Sequence, residues 1–318
     1  MLEILVATSI LVMILVIVLG MVDQLSKIWR SSSERIEAFQ SARLGFDLMT
    51  RNLRQATLNP YLDYEIDPTS LSPRRYLRKS DLRFLLGPAG KDDLPGVPDS
   101  GQAVFFQAPA SYTLDAANCA GLDSLINTSG YYIGFTRNTA LPPHVETAVN
   151  PYRYRLIQLL VPAEKKNIYD PSMKDNEKWF TDYVDTNSRI VADNIIALIL
   201  RPQAPGSTSP DIITGKAYAD YTYDSALNVN TDPQPVYANQ LPPIVQVTMV
   251  AIDESSAKHI DAGPNQPNVI TSALAGKFQN AANYTDDLDK LEKALMAARI
   301  RYRVFSSAIP IRESLWSK

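Results

Sequence analysis

The chain has 318 residues, long enough for one large or two modest domains with a substantial core. Hydrophobic residues make up 45% and charged residues 20%, which excludes wholesale disorder, and a net charge of -3 gives no general basic character for wrapping nucleic acid. The single cysteine, Cys119, excludes an internal disulfide or a cysteine-rich zinc site, and His144 and His259 alone make a poor histidine metal centre, so no metal or cofactor is expected.

The first element is an apolar run of nineteen residues, Ile4 to Val22, without a charge. As a helix it measures roughly 28 Å, about the hydrocarbon thickness of a bilayer. A buried soluble helix rarely stays apolar on every side for so long. A cleaved secretory signal would be shorter and would end in small residues, which do not precede Asp23. The run therefore reads as a single-pass anchor, with residues 23–318 on one side of the membrane. Lys27, Arg30 and Arg35 follow the span and no basic residue precedes it. Applied to the chain as it stands, the positive-inside rule keeps the large part in the cytoplasm.

Glu3 heads this run, and a carboxylate held in lipid is costly. From Met1 to Leu11 the order MLEILVATSIL resembles the mature amino terminus of type IV pilins and type II secretion pseudopilins. In that family a glutamate opens a long apolar helix followed by small residues, here Ala7, Thr8 and Ser9. The resemblance implies that Glu3 pairs with the methylated terminal amine of a neighbouring subunit during filament assembly. It further implies an inner-membrane protein with a periplasmic body, processed by a prepilin peptidase and partnered by other pilin-like subunits. Family members carry a basic leader and two further residues before the glutamate, so both are expected to be missing from the chain as written. A basic leader would reverse the orientation given by the charge rule.

Beyond Val22 the pattern becomes amphipathic and meets no proline before Pro60. Ile36, Phe39, Ala42, Phe46, Met49, Leu53 and Ala56 recur at steps of three or four and define one helical face. Glu34, Arg35, Glu37, Arg43, Asp47, Arg51 and Arg54 supply the wetter side. Gly20 and the serines at 31–33 are weak helix formers, so a bend or local melting is expected there. The apolar face is too short for a coiled-coil stalk and suits docking onto a body.

From Pro60 onward the chain reads as strands punctuated by proline. Predicted strands are Arg75–Leu86, Ala103–Gln107, Tyr131–Thr136, Tyr152–Val161, Ile195–Arg201, Ile244–Ile252 and Arg301–Phe305. Two of them alternate: Tyr152, Tyr154 and Leu156 against Arg153, Arg155 and Ile157, and Val245, Val247 and Met249 against Gln246, Thr248 and Val250. The loops Gly87–Gln102 and Pro202–Leu241 separate them; the second is long enough to hold short strands or a functional surface. Thr285, followed by Asp286, Asp287, Leu288, Leu291 and Leu295, reads as a capped helix. The expected class is α+β, a long N-terminal helix with a membrane-spanning first half, packed on antiparallel sheets. The expected division is 1–22 for the membrane segment, 23–58 for its amphipathic continuation and 59–318 for a β-rich extracytoplasmic domain.

The strings QATLNPYLDYEID, PRRYLRKSDLRFLLGP, AVFFQAP, GYYIGF, RYRLIQLLVPAE, VADNIIALILRP, LPPIVQVTMVAIDE and YRVFSSAIPIRESLW follow one another along the chain. They resemble the pilin-like Verru_Chthon cassette protein C family, and the order of elements is similar to that of the J-type minor pseudopilins. This narrower resemblance implies a pilin-like fold.

Motifs for catalysis are absent: no G-x-S-x-G, H-E-x-x-H, Walker A or G-x-G-x-x-G pattern occurs. The segment Gly87 to Lys91 has the wrong spacing for a phosphate loop. Asp286, Asp287, Asp289 and Glu292 read as the acids favoured in a helix's first turns rather than as calcium ligands, and Asp170, Asp175 and Glu177 read as a polar loop. The cluster Arg74, Arg75, Arg78, Lys79 and Arg83 is a candidate basic face for an acidic partner, lipid headgroups or DNA. A structural, non-enzymatic subunit is the leading expectation, and the other is an anchored extracytoplasmic binding protein or enzyme with its site in the Pro202–Leu241 loop.

Overall fold

Helix α1 runs unbroken from Leu2 to Arg54, a rod of roughly 80 Å at the helical rise per residue. The computed structural model describes residues 2–67, 69–90, 101–119, 121–122, 124–138, 150–165, 170, 177–203 and 221–314, with residues 2–7, 9 and 30–38 described by backbone alone. Backbone helicity continues through Gly20 and the serines at 31–33, so the melting expected there does not occur. Good helix formers on either side of these weak positions carry the cooperative hydrogen bonding across them. The helix stops at Arg54, short of residue 58. Arg51 and Arg54 complement the dipole in the last turn, and the Thr57 N–H then donates to the Gln107 carbonyl at 2.8 Å.

The strands form three antiparallel sheets. A hairpin pairs β1 (Tyr61–Ile66) with β2 (Pro73–Lys79). A six-stranded sheet is built from β3 (Leu85–Pro88), β4 (Gln102–Pro109), β5 (Ile126–Thr136), β6 (Arg153–Val161), β7 (Ser188–Asp193) and β9 (Tyr223–Asp224), in the order β7-β6-β5-β4-β3-β9. A three-stranded sheet has the order β11-β10-β8, with β8 at Ile195–Gln203, β10 at Ile244–Ile252 and β11 at Tyr302–Pro310. Between β7 of the six-stranded sheet and β8 of the three-stranded sheet the chain crosses through a single residue, Asn194. Its φ of 61° is a left-handed conformation that asparagine tolerates, and its Nδ2 is held by Glu254 at 2.8 Å.

The two larger sheets and the second part of α1 share one core. Ala42, Phe46, Met49, Leu53 and Ala56 are buried, Phe39 is half-buried against the same core, and the Ile36 side chain lies outside the described residues. This stretch touches β4 and β7 of the larger sheet and β10 and β11 of the smaller. Phe46 meets Phe305 with ring centroids 5.9 Å apart. Gly45 permits the closest approach, since a Cβ there would lie 3.0 Å from the Ala192 Cβ and 3.5 Å from Leu156 Cδ2.

Three sequence expectations change. The strand expected over Arg75–Leu86 is two strands, β2 and β3, because Asn59 reaches in at the junction. Its Oδ1 accepts from the Asp81 and Leu82 N–H groups at 3.0 and 3.1 Å, which turns the chain from one sheet to another. Strand β6 is not half-wet: its residues are buried on both faces apart from Leu160. Arg153 and Arg155 are buried with acids, Arg153 on Asp261 at 2.7 Å and Arg155 on Asp193 at 2.8 Å. The last helix starts at Tyr284 rather than after a Thr285 cap. It spans Tyr284–Ala297 with Asn283 at its cap position, and Asp287 accepts from the Phe278 N–H at 2.9 Å. Helices Glu254–His259 and Asn268–Leu274 were not expected.

Candidate assembly surface

The free end of α1 is the largest apolar feature. Ile10–Trp29 has a mean hydropathy of 2.1 and none of it is buried against the body. Consecutive positions from Ile10 to Leu19 are all exposed, so every side of the rod is bare. The described part of α1 is therefore long and apolar enough to cross a bilayer, with Asp23 and Lys27 paired at 2.7 Å one turn apart near its end. Trp29, at the end of this apolar stretch, stands 76% exposed. Glu3 lies near the start of the described helix; its side chain lies outside the described residues.

The basic cluster is not brought together as one surface. Successive strand residues point to opposite faces, which parts Arg74 and Arg78 from Arg75 and Lys79, and Arg83 lies beyond the end of β2. Four of the five are engaged within the chain. Arg75 pairs with Glu65 at 2.5 Å and with Asp232 at 2.9 Å. Arg78 donates to the carbonyls of Ala238, Val236 and Pro235 at 2.8, 2.9 and 3.2 Å. Lys79 pairs with Asp63 at 2.5 Å. Arg83, buried, holds both oxygens of Asp224 at 3.0 and 2.9 Å. Only Arg74 of the cluster stands exposed. Electrostatics follow these contacts: the Lys79 hydrogen bond holds the Asp63 carboxyl below its ordinary range, Glu65 raises the Arg75 guanidinium, and burial lowers that of Arg78.

What the cluster does build is the base of the β1–β2 hairpin. Leu62, Tyr64 and Ile66 line one face of β1, with Tyr76 opposite Tyr64. The two tyrosine rings lie 4.6 Å apart and their hydroxyls share a 2.8 Å hydrogen bond. Strand β1 was not among the predicted elements, although its order YLDYEI alternates apolar and acidic residues visibly. The turn is closed by Asp67, whose carboxylate accepts from the Thr69 and Ser70 N–H groups at 2.7 and 3.1 Å.

A cavity of about 820 Å³ lies elsewhere, between β8, Thr222 and the segment Leu274–Gln279. Lys277 is the one charged side chain among the described residues that line it, and the Gln102 Oε1 on its wall already accepts from the Leu200 N–H. The other candidates are scattered. Asp286, Asp289 and Glu292 lie on the last helix, where Asp289 pairs with Lys293 at 2.6 Å and Glu292 accepts from the Tyr302 hydroxyl at 2.8 Å. Asp175, Lys91 and His144 lie outside the described residues. Of the Pro202–Leu241 loop, residues 204–220 also lie outside them, while Tyr221, Tyr223, Tyr237 and Leu241 are core residues. Among the described residues no three His, Cys, Asp or Glu side chains gather closely enough to hold a metal ion.

Comparison of the chain with models of known families, with curated proteins and with solved structures finds no match.

Proposed function

We propose that this chain is a pilin-like subunit, a minor pilin or pseudopilin, anchored in the inner membrane by the start of α1 and drawn by that helix into a filament. The observation that carries this reading is the division of one unbroken helix into a bare apolar rod and a part embedded in the core of the body. A rod apolar on all sides is solvated by lipid tails before assembly, and by the rods of neighbouring subunits after it. Exchange between the two environments needs no net gain in hydrophobic burial, so packing and polar pairing decide the register. Glu3 is the residue for that role: a carboxylate buried without a partner disfavours every stagger except the one that supplies a cation. In this reading the body is periplasmic, a prepilin peptidase prepares the terminus, and the role is structural rather than catalytic.

The test is Glu3→Ala in a chain carrying cysteines in the rod for cross-linking in membranes. Membrane insertion is expected to be unchanged and the ladder of cross-linked subunits to disappear. An unchanged ladder would remove Glu3 from assembly. No ladder in either chain would favour the second reading, a membrane-anchored extracytoplasmic binding protein, for which the 820 Å³ cavity has the size of a small-molecule site.

A further inference from the structure

The β1–β2 hairpin buries Leu77 on one face, beside its ion pairs, and leaves apolar side chains bare on the other. A two-stranded sheet normally turns its apolar face to the body and its charges to water. Here Arg75 ties the charged face to the chain through the carbonyls of Thr231 and Asn230, at 2.9 and 3.1 Å, and through Asp232. The other face carries Leu62 at 71% exposure and Ile66 at 58%, with Tyr64 and Tyr76 between them and Arg78 opposite Leu62. Leu71, at the turn, is 79% exposed and holds a φ of 53°, which is strained for a leucine. Stability of the chain alone explains neither the bare apolar face nor the strained leucine.

The two edges of the hairpin also differ. At Arg78 of β2 the edge is closed by amide side chains acting as a substitute strand. Gln234 accepts from the Arg78 N–H at 2.9 Å and donates to its carbonyl at 2.8 Å, and Asn239 donates to the same carbonyl at 2.6 Å. Since Arg78 turns its main-chain groups outward, its partner Leu62 does the same on the other side, and so does Tyr64 two residues on. The Tyr64 N–H is held only locally, by the Asp63 carboxylate at 2.8 Å. Among the described residues β1 pairs with β2 alone, and none adds a strand to its outer edge.

We infer that this edge receives an added strand from a partner protein, an extended segment that alternates apolar residues with lysine or arginine. Apolar residues of the incoming strand would lie beside Leu62, Tyr64 and Ile66. On the opposite face its neighbours would be Asp63 and Glu65, because the matching cations Lys79 and Arg75 stand on the inner strand β2. Each acid is already paired with a cation of β2, and a basic residue of the incoming strand would share it from the outer side. The two acids also disfavour a second copy of this chain at the same edge in the registers that pair Leu62 with Tyr64 or Tyr64 with itself, which set acid beside acid. Main-chain hydrogen bonds supply the affinity and the side-chain alternation supplies the choice of partner.

The experiment uses the full chain in neutral detergent and two synthetic peptides of about six residues, the usual length of a strand, one alternating valine with lysine and one alternating valine with glutamate. Amide exchange across residues 61–66 is followed during each titration. The lysine peptide should slow exchange at Leu62 and Tyr64 and bind at least about tenfold more tightly than the glutamate peptide, a difference of about 1.4 kcal/mol. Leu62→Ser, at an exposed position that leaves the fold alone, should weaken the lysine peptide severalfold. Asp63→Lys with Glu65→Lys should invert the preference. Equal binding of the two peptides, no protection of β1, protection that rises with protein concentration alone, or protection by phospholipid vesicles in place of peptide would each overturn the inference.

Discussion

Gly130 in β5 faces Phe105, and a Cβ at that position would stand 2.2 Å from the Phe105 ring and 3.1 Å from the Val104 carbonyl. Phe105 has nowhere to retreat, since it stacks on Phe180 at 4.0 Å. Gly130→Ala is therefore expected to cost about 1–3 kcal/mol, read from the midpoint of chemical denaturation. Buried phenols set a second expectation. Burial pushes the Tyr154 and Tyr221 hydroxyls up to about 12, above the ordinary 10.0 of the unfolded chain. Raised values mean that the folded state prefers the neutral phenol. That contribution is complete below pH 10 and drains away as the pH climbs through 12. Stability measured by denaturation should hold to about pH 10 and fall steeply above it, less steeply in Tyr221→Phe. These residues also mark the limit of what the sequence discloses. Arg153 and Arg155 stood at the polar positions of an alternating strand, yet both are buried, because Asp261 and Asp193 arrive from distant parts of the chain. Pairing of that kind has no signature in a local pattern.

At the scale of the element, α1 was the most legible part of the molecule. Its apolar run, its face from Phe39 to Ala56 and its docking on a body are all visible in spacing alone. The strand β10 was readable to the residue, Ile244–Ile252, and most other predicted strands differ only at their ends. What escaped were features decided by contacts across the chain: the break between β2 and β3 that Asn59 imposes, the strands β7 and β9, and the closing of the β2 edge by Gln234 and Asn239, while β1 was missed although its alternation is local. The candidate basic face was legible as a cluster and not as a surface, since alternation divides it and distant acids and carbonyls occupy most of it. Gly45 tests the docking of α1. Gly45→Ala sets about 1 kcal/mol of gained helix propensity against a 3.0 Å approach to the Ala192 Cβ, and little net change is expected. Gly45→Leu gains similar propensity but drives a full side chain into Val191, Ala192 and Leu156. It should lower stability by about 1–3 kcal/mol in the same denaturation assay, with membrane insertion unaffected.

For the whole molecule, the rod and the body divide cleanly. Since none of Ile10–Trp29 is buried against the rest, removing residues 1–29 should release the body from detergent without changing its unfolding midpoint beyond the roughly 0.5 kcal/mol typical of surface changes. A larger loss would show that the bare segment contributes to the core. Joined, the two parts act as a lever clamped at one end. A pull along the membrane end loads the seat between Phe39 and Ala56 in shear, where many side chains resist at once. In the proposed reading, withdrawal of the rod from the bilayer would be opposed by a gradual loss of lipid contact. Tension on the subunit would then draw the rod out of the bilayer before it pulled the body apart, and any twist applied to the rod would turn the whole body with it.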